Sequence, residues 1–271
     1  MPVELIICGA AGRMGRTLTR LASVDPDLRV RAAVEAPGVP SVGQDAGDLS
    51  GVGRIGVEIR PDYDPSAWPE AITLDFTQAA ASVEHLRIAA ARQTPIVIGS
   101  TGFDAAQRAE IDQLAPRTRC VIAANMSVGV NVLLTLVQAA AKALGDDFDP
   151  EIVEIHHRLK VDAPSGTALA LARAAGEALG RNLDEDGVYG RHGVVGQRKH
   201  EEIGVMALRG GDAVGDHTVM FVGMGERLEL THRAQSRDCL AGGALRAAKW
   251  LAQRTRPGRY SMANVLGIVT S

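Results

Sequence analysis

Short, mostly apolar runs alternate with longer amphipathic stretches through the first half of the chain. The runs Leu5–Cys8, Leu28–Val34, Ile72–Phe76, Pro95–Gly99 and Cys120–Ala123 have the length of strands and are separated by Gly, Pro and Asp. Such runs predict strands buried on both faces. Between them, Arg13–Ala22, Gln78–Gln93 and Ala105–Leu114 carry apolar residues at helical spacing, with Val83, Leu86 and Ala90 on one stripe and Asp104 placed as an N-cap. This alternation predicts a parallel sheet wound on both faces. Ala36–Pro69 interrupts it: the segment is rich in Gly, Pro and Asp, with a weak strand signal at Ile55–Ile59.

The second half has a different rhythm. Val128–Leu144 reads as a helix that is apolar on several faces and opens a second region. Pro150–Val161 is predicted extended, and Thr167–Leu179 a helix closed by Gly180. Residues 181–202 are polar and Gly-rich, as in a loop or short edge strands. Ile203–Arg209, His217–Val222 and Arg227–Arg233 then follow one another without helices between them, which predicts a mixed or antiparallel sheet. Asp238–Gln253 is predicted helical, and the apolar tail Val265–Val269 is expected to return to the first domain.

Composition narrows the function classes. A chain of 271 residues fits one large or two modest domains, and 46% hydrophobic residues supply a core. Aromatics at 3% provide no stacking platform for single-stranded nucleic acid, and a net charge of −3 without a basic block leaves no polyanion footprint. No uninterrupted apolar run reaches the roughly 18 residues of a membrane span. The N-terminus runs into a strand without a basic region, unlike a signal peptide. Cys8, Cys120 and Cys239 are too few and too scattered for a disulfide framework or zinc site, and Cys8 and Cys120 sit in core-like runs. The expectation is a cytoplasmic protein that binds neither nucleic acid nor membrane.

Two constellations carry chemistry. Gly9, Ala10, Ala11, Gly12, Arg13, Met14, Gly15 form a G-x-x-G-x-x-G turn between the first strand and first helix, and Glu35 ends the next strand. Glycine permits the tight turn and close phosphate approach, the helix N–H groups face the phosphate, and the acid accepts ribose hydroxyls. Gly99, Ser100, Thr101 and Ala123, Ala124, Asn125, Met126 follow later strands and are expected to line the same crevice. The second constellation is Glu154–Thr167, which holds His156, His157, Arg158, Lys160 and a Pro-Ser-Gly-Thr turn. In an extended strand His156, Arg158 and Lys160 share one face and His157 takes the other, whereas a strand ending near Leu159 would let the turn bring Lys160 and His157 together. Ser165 or Thr167 would cap the next helix, whose free N–H groups, with Lys160 and a His, make a carboxylate cradle beside a proton donor. No third ligand accompanies the His pair, so no metal site is expected. Arg209–His217 reads either as a hairpin connection or as a segment lending Arg209 or His217 to the site.

These residues resemble the 4-hydroxy-tetrahydrodipicolinate (dihydrodipicolinate) reductase family over nearly the whole chain. The motifs are Gly9–Arg16, Asp75-Phe76-Thr77, Val97–Phe103, Ala123–Asn131 and above all Glu154–Ala168. The resemblance implies a Rossmann-type domain at 1–126 joined by the tail 238–271, and an α+β substrate domain at 127–237 with an open mixed sheet that assembles a homotetramer. It implies reduction of a cyclic dicarboxylate, hydroxy-tetrahydrodipicolinate, by NADH or NADPH. At matching positions His156 would be proton donor and acceptor and Lys160 a second proton donor. His157, Gly166 and Thr167, with Ser165 beside them, would hold substrate carboxylates. Two positions depart from some members. Ala36 replaces an Arg after the ribose-binding acid, leaving no guanidinium there for a 2′-phosphate, and Met126 replaces a Phe. The residues by themselves also admit another two-domain NAD(P)-dependent amino-acid dehydrogenase, or a nicotinamide-responsive binding protein with no need of a proton donor.

Overall fold

Residues 1–268 are described by a computed structural model. In chain order the elements are β1 (Val3–Cys8), α1 (Arg13–Val24), β2 (Leu28–Val34), α2 (Ala46–Ser50), β3 (Ile59–Arg60), β4 (Ile72–Asp75), α3 (Ala79–Arg92), β5 (Ile96–Ile98), α4 (Ala105–Leu114), β6 (Arg119–Ile122) and α5 (Val128–Leu144). There follow β7 (Asp149–His156), α6 (Gly166–Ala178), α7 (Leu183–Asp186), β8 (Gly187–Val188), β9 (Ile203–Arg209), β10 (Gly215–Val222), β11 (Arg227–Ala234), α8 (Asp238–Leu251), β12 (Gly258–Tyr260) and α9 (Met262–Leu266). The chain divides into two units, one comprising Met1–Val128 and the chain from Arg237 onward, the other Gly129–Ser236. The sequence-based boundaries stand at 126/127 and 237/238, and positions 269–271 of the predicted tail lie outside the described residues.

In the first unit, the described residues form a seven-stranded parallel sheet in the order β12-β6-β5-β4-β1-β2-β3. The chain leaves β1 toward β2 on one side and resumes at β4 on the other. This reversal puts a crevice at the carboxyl ends of β1 and β4, where doubly wound sheets bind ligands. Leu5, Ile7, Ile72, Leu74, Val97 and Val121 are fully buried, and Cys8 and Cys120 pack with the strands. The apolar face of α8 (Ala241, Ala244, Ala247, Ala248, Leu251) joins the same core. Asp104 accepts from Gln107 N–H while the Gln107 side chain accepts from Asp104 N–H, the capping box that starts α4.

The weakly patterned segment after β2 is ordered around one side chain. Asp45 accepts from the N–H groups of Gly47, Asp48, Ile55, Gly56 and Val57, which caps α2 and ties it to the returning chain. The expected strand Ile55–Ile59 therefore shrinks to Ile59–Arg60, because the Asp45 carboxylate takes the backbone donors of 55–57.

The second unit has a five-stranded mixed sheet, β11-β10-β7-β9-β8, with β10 antiparallel to both neighbours and β7, β9 and β8 parallel. Ile152, Val205, Val219 and Phe221 pack against Leu133 and Val137 of α5 and Leu171 and Ala175 of α6. Val128–Asp147 is 20 residues long with mean hydropathy 1.5, enough by length and composition to cross a membrane. Its Leu133, Val137 and Ala141 are buried in this core, while Val132 and Leu136 are exposed. Strand β7 stops at His156, short of the predicted Val161, because Lys160 N–H closes a turn on His157 C=O.

Gly243 and Gly242 give a paired test of the core. A Cβ at Gly243 would stand 1.7 Å from the Met126 carbonyl oxygen, whereas one at Gly242 would meet nothing within 4 Å. Gly243→Ala should destabilise by about 1–3 kcal/mol or more, as overpacking against backbone does. Gly242→Ala should be neutral or stabilising by up to about 1 kcal/mol, the helix-propensity gain. Thermal unfolding of the two variants beside the parent checks this, and equal midpoints would overturn it.

Candidate active site

In the first unit the glycine turn is tied down by its backbone. Gly9 (φ 76°) and Ala10 donate N–H groups to Val34 C=O, and Gly12 N–H returns to Gly9 C=O. A Cβ at Gly15 would lie 2.2 Å from Gly9 O, so only glycine lets α1 seat on the turn. Gly12 caps α1 with no side chain, and the first-turn N–H groups lack intrahelical acceptors. Glu35 accepts at 2.9 Å from both Ala11 and Ala36 N–H, which holds its carboxylate against the turn. Gly9, Gly12, Glu35, Ala36, Phe76 and Thr77 line a cleft of about 590 Å³.

The later strand ends are arranged differently from one another. Gly99 lies under the Phe76 ring, which a Cβ there would strike at 2.1 Å. Ser100 is buried, its hydroxyl within reach of Asp75, Ser82 and the Thr77 carbonyl, so its side chain faces the sheet. Thr101 and Ala124 are exposed, and Ala123 and Asn125 half-buried. The Met126 side chain is 1% exposed and packs in the core. The side chains of Ser100, Met126 and Ala10 are all buried, so these three residues would meet a ligand through their backbone.

In the second unit a fully buried carboxylate organises the residues singled out in the sequence. Glu154 Oε2 accepts from His156 Nδ1 at 2.6 Å and Arg209 Nη1 at 2.8 Å; Oε1 accepts from Ser165 N–H and Arg209 Nη2, each at 2.9 Å. Burial works to raise the Glu154 pKa, but the Arg209, His156 and Ser165 donors outweigh it and hold the carboxyl below its ordinary value. Ser165 caps α6, its Oγ accepting from Ala168 N–H and pairing with His217 Nε2 at 2.9 Å. At 3% exposure and with those partners, Ser165 links Glu154, His217 and the first turn of α6. Gly166 has open space where a Cβ would be, and Thr167 follows it in the first turn of α6.

The turn after β7 undoes the predicted alternation of His156, Arg158 and Lys160. Arg158 is exposed and donates its backbone N–H to Gly211 C=O. Lys160 Nζ pairs with both Asp162 oxygens, at 2.7 and 2.8 Å. Arg209 Nη2 also reaches Asp162 C=O at 2.6 Å, so one guanidinium joins the Glu154 cluster to the Lys160–Asp162 turn. His157 is half-buried, and its Nδ1 has no hydrogen-bond partner among the described residues.

Residues 3–126 match the family described as "Dihydrodipicolinate reductase, N-terminus" and residues 129–266 the one described as "Dihydrodipicolinate reductase, C-terminus". The chain belongs to the dihydrodipicolinate reductase family. It is 48% identical to the 4-hydroxy-tetrahydrodipicolinate reductase of Syntrophus aciditrophicus, covering 98% of each chain. It is 49% identical to that of Magnetococcus marinus, covering 98% of this chain and 99% of the relative. Among solved structures, dipicolinate-bound dihydrodipicolinate reductase from Paenisporosarcina sp. TG-14 shares the fold with TM-score 0.75 at 21% identity, over 96% of this chain and 98% of that one.

Sequence reasoning in this family frame passed over Glu154 and left Arg209 and His217 undecided between site and hairpin. The signal for Glu154 was available: two residues before His156 in a strand, it must share its face. Arg209 and His217 come from strands whose pairing with β7 the sequence does not display.

His217 generates a pH prediction. It is 4% exposed, and its pKa is pushed down to about 4, chiefly by burial and then by the neighbouring His156, whose ring lies 5.1 Å away. The unfolded chain binds a proton near 6.5, the fold only near 4, so stability is lost as pH falls through that window. The loss should approach about 2–3 kcal/mol at the acid end. His217→Gln keeps a partner for Ser165 and should remove that increment. Urea unfolding at pH 7 and pH 4.5 checks this, and equal acid sensitivity of the two proteins would refute the assignment.

Proposed function

We propose that this protein reduces 4-hydroxy-tetrahydrodipicolinate to tetrahydrodipicolinate and water, with NADH or NADPH as hydride donor, in lysine and diaminopimelate biosynthesis. The observation that carries the reading is the full-length relationship to reductases of that name, at 48–49% identity. The bound nicotinamide supplies the hydride.

The first unit fits a dinucleotide. Gly12 is exposed in the cleft at the start of α1, so the pyrophosphate would meet backbone N–H groups around Gly9, Ala10, Ala11, Gly12, Arg13 and Met14. Glu35 would accept the adenosine ribose hydroxyls, and Gly99, Thr101, Ala123, Ala124 and Asn125 would line the remaining crevice by backbone and small side chains. Ala36 offers a 2′-phosphate no charge, which favours NADH at least as much as NADPH.

In the second unit, His156 would exchange the proton that accompanies reduction, and Lys160 would be the second donor. His157 and the Gly166 and Thr167 N–H groups would hold the carboxylates at the positive end of α6. Lys160 must exchange Asp162 for a substrate carboxylate. Asp162 is 59% exposed, and such pairs contribute about 0–1 kcal/mol, so the exchange costs little. The reading includes a cytoplasmic homotetramer. Its support is the sheet face opposite α5 and α6, where half-buried Met206 and Met220 lie with Leu208 and Val222, 49% and 37% exposed, a face suited to burial by another subunit.

The direct test is oxidation of NADH at 340 nm with substrate generated in situ by the preceding synthase; no turnover would sink the reading. Lys160→Ala should lower kcat by about 10²–10⁴-fold, the range for a positioned proton donor, while NADH binding is unchanged. Near-parental kcat in that variant would remove Lys160 from the mechanism. Light scattering should give four times the 28.5 kDa chain mass, and a single-chain mass at micromolar concentration would refute the tetramer.

A further inference from the structure

We propose that Glu154 is the positioning residue for His156: it fixes the imidazole with its proton on Nδ1 and leaves Nε2 to handle the substrate proton. The inference rests on the reductase reading for the identity of that substrate, but not for the state of the imidazole. Glu154 and His156 are two residues apart in β7 and share a face, and their contact at 2.6 Å is the shortest of the four that the carboxylate accepts. An ionised carboxylate can only accept, so Nδ1 must donate, and the neutral ring then carries its free lone pair on Nε2. An imidazole alone in water prefers the other tautomer, so the protein imposes this one.

The surroundings of Nε2 agree. A Cβ at residue 215 would stand 2.8 Å from it, so the glycine there keeps that nitrogen clear of a side chain. His217, the ring packed edge-on against His156, is held neutral by its burial and adds no competing charge. The same carboxylate holds Ser165 N–H, so the orientation of His156 and the first turn of α6 are set together. Arg209 is bidentate on the carboxylate and also holds the Asp162 carbonyl, which keeps the buried charge paired.

Glu154→Gln preserves shape but has one acceptor oxygen where two are used, and its amide N–H would face His156, Ser165 or Arg209, all donors. The experiment is a long-range ¹H–¹⁵N spectrum of the full-length protein labelled at histidine, at pH 8, with His156→Gln to assign the signals. The wild type should show His156 protonated on Nδ1; a proton on Nε2 would overturn the proposal whether or not Glu154→Gln folds. In folded Glu154→Gln, the Nε2-protonated form should appear, and kcat should fall about 10²-fold or more, well beyond any rise in KM, as when a base loses its orienting partner. Glu154→Asp should recover part of the loss, and NADH affinity should be unchanged. A folded Glu154→Gln with kcat within about threefold of wild type would also overturn the proposal, being far short of a lost acid–base group. Wild-type protein with the Nδ1 proton but no turnover of hydroxy-tetrahydrodipicolinate would sink the reductase reading and leave the positioning intact.

Discussion

A carboxylate with no access to water must find its hydrogen-bond donors inside the protein, and each unit of this chain is organised around one that does. Asp75 and Glu154 are both fully buried, and each lies at or near the end of the central strand of its sheet, β4 and β7. Asp75 gathers Thr77, Ser82 and His85, with Ser100 at the edge of reach; Glu154 gathers His156, Ser165 and Arg209. In both, donors that outweigh the burial hold the carboxyl below its ordinary pKa. Removing one donor would leave a buried charge short of partners, a far larger penalty than a lost surface contact. Each carboxylate therefore ties, with one charge, its strand to the segments packed around that strand's end.

That constraint explains how much of the molecule was legible in the sequence. Strands β1, β2, β4, β5 and β6 and helix α5 follow from apolar runs and helical spacing, and α4 follows from Asp104, because those signals act over a few neighbouring residues. The segment after β2 was not legible, since its order depends on Asp45 reaching backbone groups up to twelve residues away. Strand β12 was missed for a related reason: three residues pair with β6 only because the chain returns from the second unit.

The candidate site divides the same way. The glycine turn, Glu35, His156 and the α6 cap were visible as local motifs. The partners that orient them were not, because Arg209 and His217 lie 55 and 63 residues from Glu154 and meet it only through strand pairing. The sequence leaves open whether the strand runs on to Lys160 or turns near Leu159; the strand stops at His156, and the turn hands the Lys160 ammonium to Asp162, a partner the pattern does not display. Local motifs name the reacting groups; the fold supplies the groups that hold them.

The route of the chain has a consequence for its birth on the ribosome. The first unit is split in sequence, and Gly129–Ser236 is made before its last pieces, α8 and β12. Until then the nascent first half lacks the helix carrying Ala241, Ala244, Ala247, Ala248 and Leu251, and β6 remains an open sheet edge. An unfinished core and an unpaired edge are the features that invite aggregation. The inserted unit, continuous in sequence, has no such wait. Completion therefore runs against the usual order of synthesis: the segment made first is finished last, and only translation through both α8 and β12 ends its exposure.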